Sequence, residues 1–163
     1  MKWFYGIVIV ILLACLVYAQ TSANTKQMEN HTVKVKKTAS EWKAQLDPES
    51  YHVLREQGTE YPGSGKYFNF FEPGKYYCKA CGAYLFSSEE KFHSSCGWPS
   101  FYDVRSGALR YIQDNSLGMK RIEVRCANCD GHLGHVFEDG PRDKTGLRYC
   151  INSVALTFIP ESK

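Results

Sequence analysis

Apolar positions are spread unevenly along the chain, and their spacing predicts its elements. A nearly unbroken apolar run from Trp3 to Val17 follows Met1-Lys2 and leads into Tyr18-Ala19-Gln20. A short cationic start, an apolar centre and small residues before a cut describe a secretory signal, with cleavage after Ala19. The same run also suits an uncleaved anchor, although it is short for a spanning helix. In a bacterium, Leu12-Leu13-Ala14-Cys15 would serve as a lipobox, with Cys15 lipidated. Each reading takes the remainder of the chain out of the cytoplasm, to a secreted, periplasmic or membrane-tethered location. From residue 20 to 37, Thr, Asn, Lys and Gln dominate, which predicts a flexible linker that does not pack. Asn30-His31-Thr32 within it is a glycosylation sequon, meaningful in a eukaryotic source.

The domain proper is expected over 38–163. Trp42 and Leu46, four apart, predict a short helix with one apolar edge. Asp47-Pro48-Glu49 reads as an N-cap, a first-turn proline and a first-turn acid, so a second helix is predicted from Pro48 to Gln57, stopped by Gly58. After the turn clusters at 61–65 and 72–75, the pattern changes to short aromatic and β-branched runs separated by Gly, Asp, Asn and Pro. Lys75 to Tyr77, Lys120 to Cys126 and Leu147 to Phe158 predict antiparallel strands, and the fold class is mainly all-β. Loose alternation within 152–158 suits a strand covered on both faces.

A length of 163 residues suits one domain with a real core once a leader is removed. The net charge of +3 is mild and mixed along the chain, and no basic stripe interleaves with aromatics. Nucleic acid is therefore not expected as a partner.

The seven cysteines carry the candidate chemistry. Cys78-Lys79-Ala80-Cys81-Gly82 and Cys126-Ala127-Asn128-Cys129-Asp130-Gly131 are two CxxC pairs separated by 45 positions. Two such turns facing each other make the tetrahedral all-thiolate site that zinc favours, with no position left open for catalysis. Disulfide-bonded or redox-active pairs, and an iron-sulfur centre, use the same residues. With Cys15 in the leader, Cys96 and Cys150 remain.

Cys150 lies in Gly146-Leu147-Arg148-Tyr149-Cys150-Ile151-Asn152-Ser153. On a strand, Arg148, Cys150 and Asn152 share one face while Tyr149 and Ile151 point into the core. A thiol beside a guanidinium ionises more easily and becomes a nucleophile, although a small buried cysteine filling space fits the same octapeptide. Cys96 begins Cys96-Gly97-Trp98-Pro99-Ser100-Phe101, an exposed-loop pattern carrying two aromatics. A mobile Cys96 swinging to a strand-borne Cys150 suits disulfide exchange, as it suits a permanent disulfide. His132 and His135, with Asp139 nearby, offer proton donors or acceptors near neutral pH. Metal ligands, or satisfied polar residues on a turn, fit them as well.

Taken together, GKYFNFFEPGKYYCKACG, SSCGWPSF, RCANCDGHLGHVFEDGPRD and GLRYCINSVALTFIP, in that order between Leu46 and Pro160, resemble the B-type methionine sulfoxide reductases. The resemblance implies two antiparallel β-sheets with a zinc knot and short N-terminal helices. It implies thiol-dependent reduction of methionine R-sulfoxide, free or protein-bound, by a monomer recycled by a thioredoxin-like dithiol. Residue by residue, Cys150 matches the attacking cysteine, which becomes a sulfenic acid, and Cys96 the recycling cysteine that closes a disulfide on it. Cys78, Cys81, Cys126 and Cys129 match the ligands of one structural Zn2+. Trp98 matches the indole that receives the substrate's methyl group, with Phe101 beside it on the substrate's side. His132, His135, Asp139, Arg148 and Asn152 match the polar network, His135 being the preferred donor to the sulfoxide oxygen. The rival classes are a non-enzymatic zinc-clamped binding module and a thiol redox switch. Neither requires Cys96, Cys150, Trp98 and the histidines together.

Overall fold

The computed structural model describes residues 33–162; the leader and cleavage site predicted over 1–19 lie outside them. No helix among the described residues is long and apolar enough to cross a membrane. Of the predicted linker, residues 34 and 35 are docked: both N–H groups donate to the Asn128 carbonyl (3.0 and 2.9 Å), and Val35 packs on the core. The expectation that nothing in this stretch packs fails there, because one β-branched side chain amid polar neighbours is enough to seat it.

Helix α1, Ala39–Gln45, starts at a capping box in which Glu41 N–H donates to Thr38 Oγ1 and Thr38 N–H donates to Glu41 Oε2. Helix α2, Pro48–Glu56, starts at Asp47, whose carboxylate accepts from Ser50 N–H at 2.9 Å. It ends at Gln57, which takes the left-handed conformation (φ 59°) one residue before the glycine expected to stop it. Trp42, Val53 and Leu54 are the buried edge of this pair.

All strand pairs are antiparallel. Strands β1 (Gly74–Cys78), β2 (Tyr84–Ser87) and β9 (Leu156–Pro160) form a three-stranded sheet in the order β2-β1-β9. Strands β3 (Lys91–Phe92), β4 (Ser100–Phe101), β5 (Leu109–Asp114), β6 (Arg121–Cys126), β7 (His132–Phe137) and β8 (Arg148–Ile151) form a second sheet, ordered β3-β4-β8-β7-β6-β5. The apolar run 147–158 is therefore two strands in different sheets. It is broken by the single 3-10 turn Ser153–Ala155, where the chain crosses from one sheet to the other. Tyr76, Phe86, Phe101 and Leu85 fill the core without solvent exposure.

Phe101 stacks on Phe86 with ring centroids 4.4 Å apart and meets Tyr76 edge-on at 5.1 Å. This corrects its expected place on the substrate's side. On a two-residue strand one side chain must face inward, and the larger, wholly apolar one does.

Candidate active site

Strand β8 is the spine of the site. Tyr149 and Ile151 are buried in the core, as alternation requires, and Cys150 turns to the opposite face, level with Ser100 on β4 and His135 on β7. There it lines a cavity of about 470 Å³ together with Trp98, His132, His135, Arg125 and Asn152. Cys96 is not in the cavity wall. Its Sγ lies 3.3 Å from Cys150 Sγ and 3.3 Å from Ser100 Oγ, so the two sulfurs are neighbours already and no loop swing is needed to bring them together. The loop expected to be mobile is pinned: Gly63 N–H donates to Gly97 O at 2.8 Å, and the Trp98 indole N–H donates to Glu60 O at 3.2 Å.

The two thiols share a proton. The hydrogen bond from Cys150 brings Cys96 down to about 4, while the same bond and burial push Cys150 up. Arg148 favours the Cys150 thiolate, as its position in the sequence suggests, but its effect is smaller. In the resting pair the negative charge therefore sits on Cys96. Arg148 is held by two bonds of 2.8 Å to Asp139 and lies over the Phe137 ring at 4.5 Å. Asp139 itself is 62% exposed and outside the cavity wall, so it acts on the site only by fixing Arg148.

His132 and His135 are three apart, which on a regular strand would set them on opposite faces. The register of β6 with β7 slips by one residue between Val124 and Arg125, and this bulge returns both rings to the cavity, their centroids 5.6 Å apart. The pair is thus on a strand, not a turn. His132 Nδ1 lies 2.6 Å from Glu123 Oε1, and Arg125 grips the same carboxylate at 2.8 and 2.9 Å. Burial would raise the Glu123 carboxyl, but these partners outweigh it and hold the group at about 2. His135 Nε2 lies 2.8 Å from Asp114 Oδ2, which Arg121 also holds at 2.7 Å. The Ser116 hydroxyl and backbone N–H, followed by His135, keep Asp114 well below the usual carboxylate range. Each carboxylate takes up one ring N–H, and burial pushes His135 down, towards its neutral form. Asn152 is buried: its Oδ1 accepts from Glu60 N–H at 3.0 Å and its Nδ2 donates to Leu133 O at 3.0 Å.

At the far ends of β1 and β6 the two CxxC turns are congruent. Gly82 N–H donates to Cys78 O and Asp130 N–H to Cys126 O, each at 2.8 Å. The positive φ that suits glycine falls on Gly82 (71°) in one turn but on Asp130 (60°) in the other. The four sulfurs lie within 4.8 Å of one another, with Cys78 to Cys129 at 3.7 Å and Cys81 to Cys126 at 3.6 Å. Metal–sulfur bonds of about 2.3 Å in a tetrahedron set sulfurs about 3.8 Å apart, so these four residues fit a metal ion.

A family model described as the SelR domain matches residues 46–160. The chain belongs to the SelR domain family. The peptide methionine sulfoxide reductase MsrB of Methanosarcina mazei is 58% identical over 129 residues, covering 78% of this chain and 91% of that protein. Proteins of the same name from Chromohalobacter salexigens and Agrobacterium fabrum are 56% and 54% identical over 128 residues, covering 78% of this chain and 96% and 94% of theirs.

Several residues of this SelR domain's site escaped the sequence reading. Glu123 and Arg125, two apart on a predicted strand, share one face, a signal that was available. Arg121 is a third residue of that face, while Asp114 and Glu60 carry no such signal, since each reaches the site only through the fold.

Proposed function

We propose that the protein reduces methionine R-sulfoxide to methionine with its own thiols. The observation that carries this is the pair of sulfurs 3.3 Å apart, of which only Cys150 faces a cavity walled by an indole and two imidazoles. The names of the relatives support the same reading. Trp98 offers the substrate methyl a flat apolar wall, which fixes the sulfoxide's orientation and so its stereochemistry. Cys150 passes its proton to the Cys96 thiolate and attacks the sulfur. As the S–O bond breaks, the departing oxygen must receive a proton. With both rings donating one N–H to a carboxylate, only an imidazolium has a second to give. Burial makes a charged His135 ready to give its proton up, and His135, level with Cys150 across β7 and β8, is the donor. The protonated oxygen passes to the Cys150 sulfur as the sulfur–sulfur bond made in the attack opens, so methionine leaves and Cys150 carries the oxygen as a sulfenic acid. The Cys96 thiol condenses with it, releasing water and forming a disulfide, which an external thioredoxin-like dithiol reduces.

Cys78, Cys81, Cys126 and Cys129 would hold one Zn2+, whose chemistry there is structural, cross-linking the ends of the two sheets. A monomer exported from the cytoplasm by the leader completes the reading. Neither a binding module nor a bare redox switch is favoured, since neither needs Trp98 and the histidines around the cavity. The test is turnover of methionine R-sulfoxide with dithiothreitol by wild type, Cys150→Ser and Trp98→Ala. Wild type should turn over, Cys150→Ser should not, and Trp98→Ala should be impaired on sulfoxide while still closing its disulfide with peroxide. Wild type no faster than Cys150→Ser would end the proposal.

A further inference from the structure

The segment between α2 and β1 contributes a residue that the reaction does not touch. Glu60 is buried, with 4% of its surface exposed. Its carboxylate accepts from two successive backbone N–H groups, Ser153 to Oε1 at 2.6 Å and Val154 to Oε2 at 3.0 Å. Those amides open the 3-10 turn that follows Cys150 and Asn152. The Glu60 main chain reaches the site twice more: its N–H donates to Asn152 Oδ1 at 3.0 Å, and its carbonyl accepts the Trp98 indole N–H at 3.2 Å. Neighbouring bonds run the same way, with Tyr67 N–H donating to Ser153 Oγ and Gly63 N–H to Gly97 O. Gly65 closes onto the same point, since a Cβ there would lie 2.6 Å from Glu60 Oε1 and 2.5 Å from Ser153 Cβ.

We propose that Glu60 is a positioning residue that sets the indole of Trp98 against Cys150. Its side chain locks onto the turn after the nucleophile strand while its own carbonyl holds the ring, so one residue ties together two parts of the cavity wall. A buried carboxyl would be satisfied by far fewer contacts. Here both oxygens meet backbone donors, and both main-chain groups meet side chains of the cavity wall. Glutamine is not an equivalent, because it has one acceptor oxygen and would turn an NH2 group towards one of the two amides, leaving a buried donor unpaired. This assignment rests on the sulfoxide reading for its kinetic consequence but not for its structural one.

The experiment uses the full chain labelled with 5-fluorotryptophan, with the Trp98 resonance assigned by Trp98→Phe and the Trp42 resonance as an internal reference for folding. In Glu60→Gln the Trp98 resonance should shift or split while that of Trp42 stays. KM for methionine R-sulfoxide should rise about tenfold, the weight of one lost hydrogen bond, with kcat within about threefold. Closure of the Cys96–Cys150 disulfide by peroxide, which needs no methyl pocket, should stay within about twofold. A second variant leaves Glu60 untouched: 3-benzothienylalanine at position 98 keeps the ring shape but lacks the N–H, and should reproduce the KM effect. An unmoved Trp98 resonance in Glu60→Gln, or a KM unchanged in the position-98 variant, overturns the assignment. If Glu60→Gln does not fold, the position-98 variant decides alone. If wild type does not turn over sulfoxide, the fluorine spectrum still decides whether Glu60 sets the indole, so the two proposals fail separately.

Discussion

Replacing Gly134 by alanine should damage the site without touching any group that does chemistry. Gly134 pairs with Ile151 across β7 and β8, and a Cβ built on it would lie 2.0 Å from the Cys150 carbonyl oxygen and 3.0 Å from the carbonyl carbon. Ordinary packing needs about 3.5 Å, so the strands must part by on the order of 1 Å. Both obstructing atoms are backbone in the middle of a sheet and cannot rotate away. Overpacking of this kind costs about 1–3 kcal/mol, and one stretched ladder bond about 1 kcal/mol more, so a loss of roughly 2–4 kcal/mol is expected. The displaced atoms are those of Cys150 and of the bulge that aims His132, and misplacement by about 1 Å costs about 100-fold in rate. Urea unfolding should give a lower midpoint at an unchanged slope, while turnover on methionine R-sulfoxide falls about 100-fold. Stability within about 0.5 kcal/mol of wild type, together with full turnover, would refute the close approach as the reason for glycine at this position.

Other outcomes follow from the same geometry. Cys96→Ser should complete one stoichiometric turnover and then arrest with a thioredoxin-type donor, and sustained turnover would show Cys96 to be dispensable. Because the Cys150 hydrogen bond brings Cys96 down to about 4, its alkylation by iodoacetamide should be nearly flat with pH between about 6 and 8. In Cys150→Ala that bond is gone, and the rate should climb with pH towards the ordinary thiol range of about 8.5. Glu123, at about 2 in the folded protein against an ordinary 4.5, contributes stability that is complete above pH 4.5 and disappears as the pH falls to 2. Glu123→Gln should therefore flatten the acid limb of the stability profile. His135→Ala should reduce turnover by at least about 100-fold, as expected on losing a general acid, with peroxide-driven disulfide closure spared.

What could be read before folding was whatever depends on local spacing. The alternation at Arg148–Asn152 put Cys150 opposite the core, and the two CxxC turns announced a four-sulfur site. Asp47-Pro48 placed a helix start correctly. What could not be read depends on partners distant in the chain. The histidine pair fitted a turn as well as a catalytic site because the bulge that brings both rings to one face of β7 is a property of two paired strands. Arg148 next to Cys150 suggested a thiolate there, but the outcome is set by Cys96, 54 positions away in sequence and 3.3 Å away in space. The run at 147–158 concealed a change of sheet because residues 153–155 are as compatible with a strand as with the turn they form. Glu60 lies between turn residues and reads as surface; only its two amide partners, 93 and 94 positions downstream, make it interior.

The seating of Cys96 against its neighbour also bears on survival under the conditions that create the substrate. An enzyme that mends oxidised methionine works among oxidants that can carry a sulfenic acid on to irreversible acids. In the proposed cycle a thiol already in contact leaves that state no waiting time, since capture needs only a bond rotation and no segment must travel. The protein should therefore tolerate repeated peroxide doses as long as its disulfide is reopened, and only separation of the two sulfurs would make it vulnerable to the damage it repairs.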